Sequence, residues 1–183
     1  MKIVFADRDG VINRDRPDYV KSWSEFEFLP GSLEALKLLT LSDYHVILIT
    51  NQSVINRKMV TEEELRDIHA KMEAAVFDHG GRIKAIYYCP HVPEDGCSCR
   101  KPEPGLIERA KADHGLDLSE TCLIGDSLKD LQCARRAGCG KTILVRTGHG
   151  REAEALCKDA DVKADHVADD LMAAAKWLLK QSS

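Results

Sequence analysis

No stretch of the 183-residue sequence approaches the roughly 18 consecutive apolar residues that a membrane-spanning helix needs. No secretory leader is expected, since a strand-like run begins at Lys2. Basic charge is not in excess: 26 Lys and Arg stand against 30 Asp and Glu, a net charge of −4. That balance gives no footing for general nucleic-acid or anionic-membrane binding. Internal repeats, low-complexity tracts and flexible linkers are also lacking, so residues 1–183 are read as one domain with a sizeable core. The seven cysteines are an odd number, and Cys89, Cys97 and Cys99 gather near His91, which suits metal binding in a reducing cytosol better than a disulfide framework. The expectation is a cytoplasmic monomer acting on a small molecule, with neither nucleic acid nor membrane as partner.

What is present is an alternation of apolar runs and helical patterns. Lys2 to Ala6, Val46 to Ile49, Ile83 to Cys89, Thr121 to Asp126 and Lys141 to Arg146 read as buried strands. Leu33, Leu36 and Leu39 recur at helical spacing after Pro30-Gly31-Ser32. Thr61-Glu62-Glu63-Glu64 has the form of a capping box, followed by Leu65, Ile68, Met72, Val76 and Phe77 as core positions of a helix. Further helices are expected from Pro104 to His114, from Leu128 to Ala137 with Gly138 closing it, and around Leu171 to Lys180 with Trp177 and Leu178 facing inward. Trp23, Phe26 and Phe28 are expected to anchor the polar segment before the first helix. The order implies an α/β fold with a doubly wound, mostly parallel sheet and no separate cap domain.

In such a sheet, ligands bind beyond the carboxyl ends of the strands. The first strand ends in Asp7-Arg8-Asp9-Gly10, where two close carboxylates repel one another and suit an oxygen-seeking cation such as Mg²⁺. The alternative at this point is a loop of solvated acids. Thr50, Asp126 and Lys101 stand at other positions that the topology brings to the same rim. Together they form a set that phosphoryl transfer can use: Asp7 as nucleophile, Asp9 as general acid and base, Thr50 and Lys101 holding phosphoryl oxygens, and Asp7, Asp9 and Asp126 around Mg²⁺.

Asp-x-Asp-Gly, Thr-Asn, Lys-Pro and Gly-Asp-Ser-x-x-x-Asp, taken in that order, resemble the motifs of the haloacid dehalogenase superfamily of aspartyl-phosphate phosphatases. The resemblance runs from about Lys2 to Gly148. It implies that Asp130 supports the site from behind. Cys89, His91, Cys97 and Cys99 offer three thiolates and one imidazole, a full tetrahedral set for a structural Zn²⁺. Cys-Pro-His followed by Cys-x-Cys-Arg-Lys-Pro is similar to the corresponding loop of heptose bisphosphate phosphatases and of histidinol-phosphate phosphatases. Asp-Arg-Asp-Gly-Val-Ile-Asn, Thr-Asn-Gln-Ser and Leu-Val-Arg-Thr-Gly favour the former. That resemblance implies a role for Arg100 on a second phosphate of the substrate, and substrate contacts from Asn51, Gln52, Ser53, Asp15 and Tyr19. The sequence departs from the pattern at Val54-Ile55-Asn56-Arg57-Lys58. Histidinol phosphate is the alternative substrate, and a non-catalytic phosphosugar-binding module is the alternative class.

Overall fold

The computed structural model describes residues 1–157 and 162–181. In chain order its elements are β1 (Lys2–Ala6), α1 (Ser32–Leu41), β2 (Tyr44–Asn51), α2 (Glu62–Asp78), β3 (Ile83–Cys89), α3 (Gly105–His114), β4 (Cys122–Gly125), α4 (Leu128–Ala137), β5 (Lys141–Val145), α5 (Gly150–Leu156), β6 (His166–Ala168) and α6 (Leu171–Lys180). Among the described residues the strands form a six-stranded sheet in the order β3-β2-β1-β4-β5-β6. Every pairing is parallel. The chain runs outward from β1 to β3 and then returns to place β4 on the other side of β1. The crevice that such a reversal opens lies at the carboxyl ends of β1 and β4.

Alternate residues of each strand feed different faces, as the two-residue period of a strand requires. Val4, Ala6, Val46 and Leu48 pack with Leu36 and Leu39 of α1, Ile68 and Met72 of α2, and Ala174 and Leu178 of α6. Ile3, Phe5, Ile47 and Ile49 pack on the opposite face with Leu106 and Ile107 of α3 and Ala134 of α4. Each large side chain buried this way contributes roughly 1.5–3 kcal/mol, so the sheet is fixed from both sides. Trp23, Phe26 and Phe28 form one ring cluster, with Trp23 stacked on Phe26 at 5.0 Å and Phe28 edge-on to Phe26 at 5.0 Å.

The expected helix signals operate. Thr61 and Glu64 exchange both bonds of a capping box, and Gly138 closes α4 in a left-handed conformation at φ 84°. Three expectations need correction. Phe77 is 64% exposed rather than core, because Met72 and Val76 occupy the inward face of α2 and the next residue turns about 100° away from it. The set of helices gains one that was not expected, α5, which begins at Gly150. The sheet also gains β6, whose three residues are too few to show a period.

Candidate active site

β1 delivers Asp7 to the crevice, where the Asp7 N–H donates to the Ile124 carbonyl of β4 at 3.1 Å. Gly10 follows in a left-handed turn, and a Cβ there would lie 2.0 Å from Asp126 Oδ2. The fourth residue after β1 must therefore be small for Asp126 to reach the site. Asp130 is brought in by the first turn of α4, where Ser127 donates to its Oδ2 from the backbone at 3.0 Å and from the hydroxyl at 2.6 Å. Its other oxygen receives the Lys101 ammonium at 2.6 Å, and the same ammonium reaches Asp7 Oδ2 at 2.8 Å.

Carboxylate oxygens of Asp7, Asp126 and Asp130 lie within 4.8 Å of one another. Burial pushes the Asp7 carboxyl up to about 7, with the charge of Asp130 adding to the rise and Lys101 opposing it. Burial likewise pushes Asp126 up to about 8, reinforced by Asp130 and Asp7. For Lys101, burial favours the neutral form, but Asp130 and Asp7 outweigh it and hold the side chain charged. Three buried acids facing one ammonium leave negative charge uncompensated. A hard divalent cation with oxygen ligands fits that donor set, and Mg²⁺ is the natural occupant.

Asp9 has a different set of side-chain partners. Its carboxylate accepts Arg8 Nη2 on both oxygens at 2.9 and 3.0 Å, Asn13 Nδ2 at 2.8 Å and Gln52 Nε2 at 2.8 Å. Burial opposes its ionisation, but Arg8, Asn13 and Gln52 together hold the group below the usual carboxylate range. The Asp9 side chain is not among the clustered carboxylates of Asp7, Asp126 and Asp130. Arg8 folds back onto its neighbour. Gln52 also donates to Thr50 Oγ1 at 2.9 Å, tying Asp9 to the end of β2.

A cleft of about 130 Å³ opens over these groups, walled by Asp7, Asp9, Thr50, Asn51, Gln52 and Lys101, with Asp15 and Tyr19 on its far side. Asn51 accepts the Lys101 N–H at 3.1 Å and donates to the Lys101 carbonyl at 3.2 Å, so it positions the lysine backbone. Asp15 is held by His149 at 2.8 Å. Ser53 does not reach the wall; it is buried, with its carbonyl accepting from Arg57. The departure at residues 54–58 has a packing role, because Val54 is fully buried with Val60 and Leu65 while Arg57 lies over the Tyr19 ring at 5.9 Å. Ser127 and Lys129 also line the cleft. The Gly-Asp-Ser motif pointed to its acids and left these two unassigned, although a lysine beside a buried acid is a readable signal for phosphate.

Arg100 lines an adjoining cleft of about 330 Å³, together with Cys97 and Glu103. Lys101 and Lys129 border both clefts. Arg100 Nη1 donates to the His91 carbonyl at 2.9 Å, which fixes it to the Cys/His loop. In that loop, Cys99 Sγ lies 3.0 Å from Cys89 Sγ, 3.4 Å from Cys97 Sγ and 3.3 Å from His91 Nδ1. Cys89 Sγ is 3.5 Å from His91 Nδ1 and 3.6 Å from Cys97 Sγ. A tetrahedral ion with about 2.3 Å bonds to sulfur has ligand–ligand edges of roughly 3.8 Å, so a modest expansion of this group accommodates one.

Comparison with known proteins places this geometry in a family. The HAD-hyrolase-like family model matches residues 98–174. The D-glycero-beta-D-manno-heptose-1,7-bisphosphate 7-phosphatase of Bordetella bronchiseptica is 43% identical over 182 residues, covering 100% of both chains. The enzyme of the same name from Neisseria meningitidis is 48% identical over 152 residues, 83% of this chain and 81% of that one. The crystal structure of D,D-heptose 1,7-bisphosphate phosphatase from B. bronchiseptica, complexed with magnesium and phosphate, superimposes with a TM-score of 0.93 over 99% of each chain. The sheet order, the acid cluster and full-length identity above 40% agree, and the chain belongs to the D-glycero-beta-D-manno-heptose-1,7-bisphosphate 7-phosphatase family of HAD-like hydrolases.

Proposed function

We propose that this chain removes the 7-phosphate of D-glycero-D-manno-heptose 1,7-bisphosphate in the cytoplasm, supplying a precursor of nucleotide-activated heptose. The observation that carries the reading is the Lys101 ammonium shared between Asp7 and Asp130 beside Asp126, at the reversal point of the sheet. Asp7 attacks phosphorus, the bond to the sugar oxygen breaks, and an aspartyl-phosphate forms. Asp9, ionised in the substrate-free protein, takes up a proton when the negatively charged substrate binds, gives it to the departing alkoxide and then takes one from the water that attacks the aspartyl-phosphate, releasing phosphate and restoring Asp7. Lys101 and Thr50 hold the phosphoryl oxygens. Mg²⁺ on Asp7 and Asp126, with Asp130 close by, would neutralise charge on the transferring group. A Zn²⁺ on Cys89, His91, Cys97 and Cys99 would be structural, because four protein donors leave no open position.

The retained phosphate finds a partner in Arg100, whose guanidinium suits bidentate phosphate binding in the adjoining cleft. Phosphate release should be measured over heptose bisphosphate, sugar monophosphates and histidinol phosphate, with wild type and Arg100→Ala. The bisphosphate should be preferred, and the mutant should lose on the order of 2–4 kcal/mol in kcat/KM on it while keeping nearly full activity on a monophosphate. An equal loss on both substrates, or preference for histidinol phosphate, overturns the assignment.

A further inference from the structure

Arg8 is 1% exposed, although it sits between two acids at the mouth of a cleft. Its guanidinium points into the protein, where Nη2 grips both oxygens of Asp9 and Nη1 meets His69 Nε2 at 3.2 Å. The remaining nitrogen, Nε, has no hydrogen-bond partner among the described residues. A guanidinium carries donors only, so His69 must accept through Nε2 and carry its hydrogen on Nδ1. Burial keeps that imidazole neutral, pushing its pKa down to about 3, with the Arg8 charge acting in the same direction. His69 is itself 6% exposed on α2, and its ring meets Tyr88 of β3 edge-on at 6.1 Å. A buried cation with one nitrogen unpaired is held in place by the partners it does have. Those partners are Asp9 on one side and His69 on the other.

We propose that His69 is a positioning residue for Asp9, acting through Arg8 from outside the cleft. The inference rests on Asp9 being the acid and base of the reaction. Asp9 must present the same carboxylate first to a leaving oxygen and then to a water, and Arg8 Nη2, which reaches both oxygens, orients that carboxylate together with Asn13 on one oxygen and Gln52 on the other. His69 sets the plane of Arg8. Without the imidazole acceptor, the guanidinium loses its only hydrogen-bond anchor besides Asp9 among the described residues, and the carboxylate, though still held by Asn13 and Gln52, loses a fixed Arg8. An error in its orientation impairs proton transfer while leaving Asp7, Lys101 and Asp130 in place.

Leaving-group dependence separates this role from a structural one. Heptose bisphosphate expels a strongly basic alkoxide that needs a proton, whereas p-nitrophenyl phosphate expels a stable nitrophenolate that does not. The ratio of kcat/KM for the two substrates reports the step in which the leaving group departs, and it is independent of the fraction of enzyme that is folded. Asp9→Asn calibrates the assay and should lower the bisphosphate-to-aryl ratio by on the order of 100-fold. His69→Phe, which keeps a ring against Tyr88 but offers no acceptor, should lower the ratio by about tenfold. His69→Gln, whose amide oxygen can accept from Arg8, should restore it to within about threefold of wild type. An unchanged ratio in His69→Phe, even with both rates reduced, or no rescue by His69→Gln, overturns the proposal. An unchanged ratio in Asp9→Asn overturns the acid role of Asp9 itself, and the proposal with it.

Discussion

The acid cluster draws its members from distant parts of the chain. Asp7 follows β1, Asp126 and Asp130 flank the start of α4, and Lys101 precedes α3. The Cys/His cluster takes all four donors from the end of β3 and the loop beyond it. The first is buried and held together by the protein's own hydrogen bonds, with like charges opposed by Lys101. The second is half-exposed apart from Cys89, and its donors contact one another and main-chain amides of the same loop. Folding therefore creates the acid cluster at an electrostatic cost, whereas an ion would create much of the order in the sulfur cluster. Mutations at the two sites should separate function from stability.

The largest effect is expected for Asp7→Asn. An amide cannot form the aspartyl-phosphate, so turnover should fall on the order of 10⁴-fold or more. Because the carboxyl sits among like charges and its pKa is already pushed up to about 7 by burial, replacing it with a neutral group should not lower the melting temperature. Rates and melting curves on the same purified protein check both halves. Turnover near wild type would remove the nucleophile assignment, and a large drop in melting temperature would remove the electrostatic argument.

Cys99→Ser should show the converse pattern. Cys99 lies within 3.4 Å of the other three donors, so its loss leaves a set unable to close around Zn²⁺. Zinc, expected at about one ion per wild-type chain, should be absent from the variant. A loss of about 3–4 kcal/mol should lower the melting temperature by roughly 10 °C. Monophosphate turnover should persist and still depend on added Mg²⁺, while KM for the bisphosphate should rise because Arg100 is anchored on the His91 carbonyl. Wild-type protein free of zinc, or a variant with unchanged melting, would contradict this account.

The same contrast explains what could be read from the sequence. Four closely spaced soft donors announce their chemistry through spacing alone, and the apolar runs of β1 to β5 announce buried strands. Ser127 with Asp130 and Thr61 with Glu64 are local signals, legible because each pair lies three residues apart on a helix start. How the Asp9 carboxylate is held was not legible. Arg8, Asn13 and Gln52 donate to it, and only folding brings Gln52 there. Ser53 was expected to contact substrate with its neighbours; it is buried and is not among the residues that line the cleft. Phe77 shows the same limit in the core, because an apolar residue one step off the helical stripe carries no mark of its exposure.

The smallest effects come from two glycines, one beside each cluster. A Cβ on Gly125 would lie 2.3 Å from the Asp130 Cβ and 2.6 Å from Asp130 Oδ2, atoms fixed by Ser127 and Lys101. Gly125→Ala must therefore push the first turn of α4 outward, at a cost of about 2–3 kcal/mol. The Lys101 contact to Asp130 would lengthen with that shift, so kcat should fall about tenfold, as expected when a catalytic group is displaced by a fraction of an ångström. At Gly96 a Cβ would meet nothing within 4 Å, and the only penalty comes from its φ of +58°. Gly96→Ala should cost about 1 kcal/mol, retain zinc and leave monophosphate turnover unchanged. Urea titration and kcat on a monophosphate, measured for both variants, compare a cluster clamped by surrounding packing with one closed by its ion. If Gly96→Ala were the more damaging of the two for turnover, the Cys/His loop would be part of the catalytic scaffold, and the division between the two clusters would not hold.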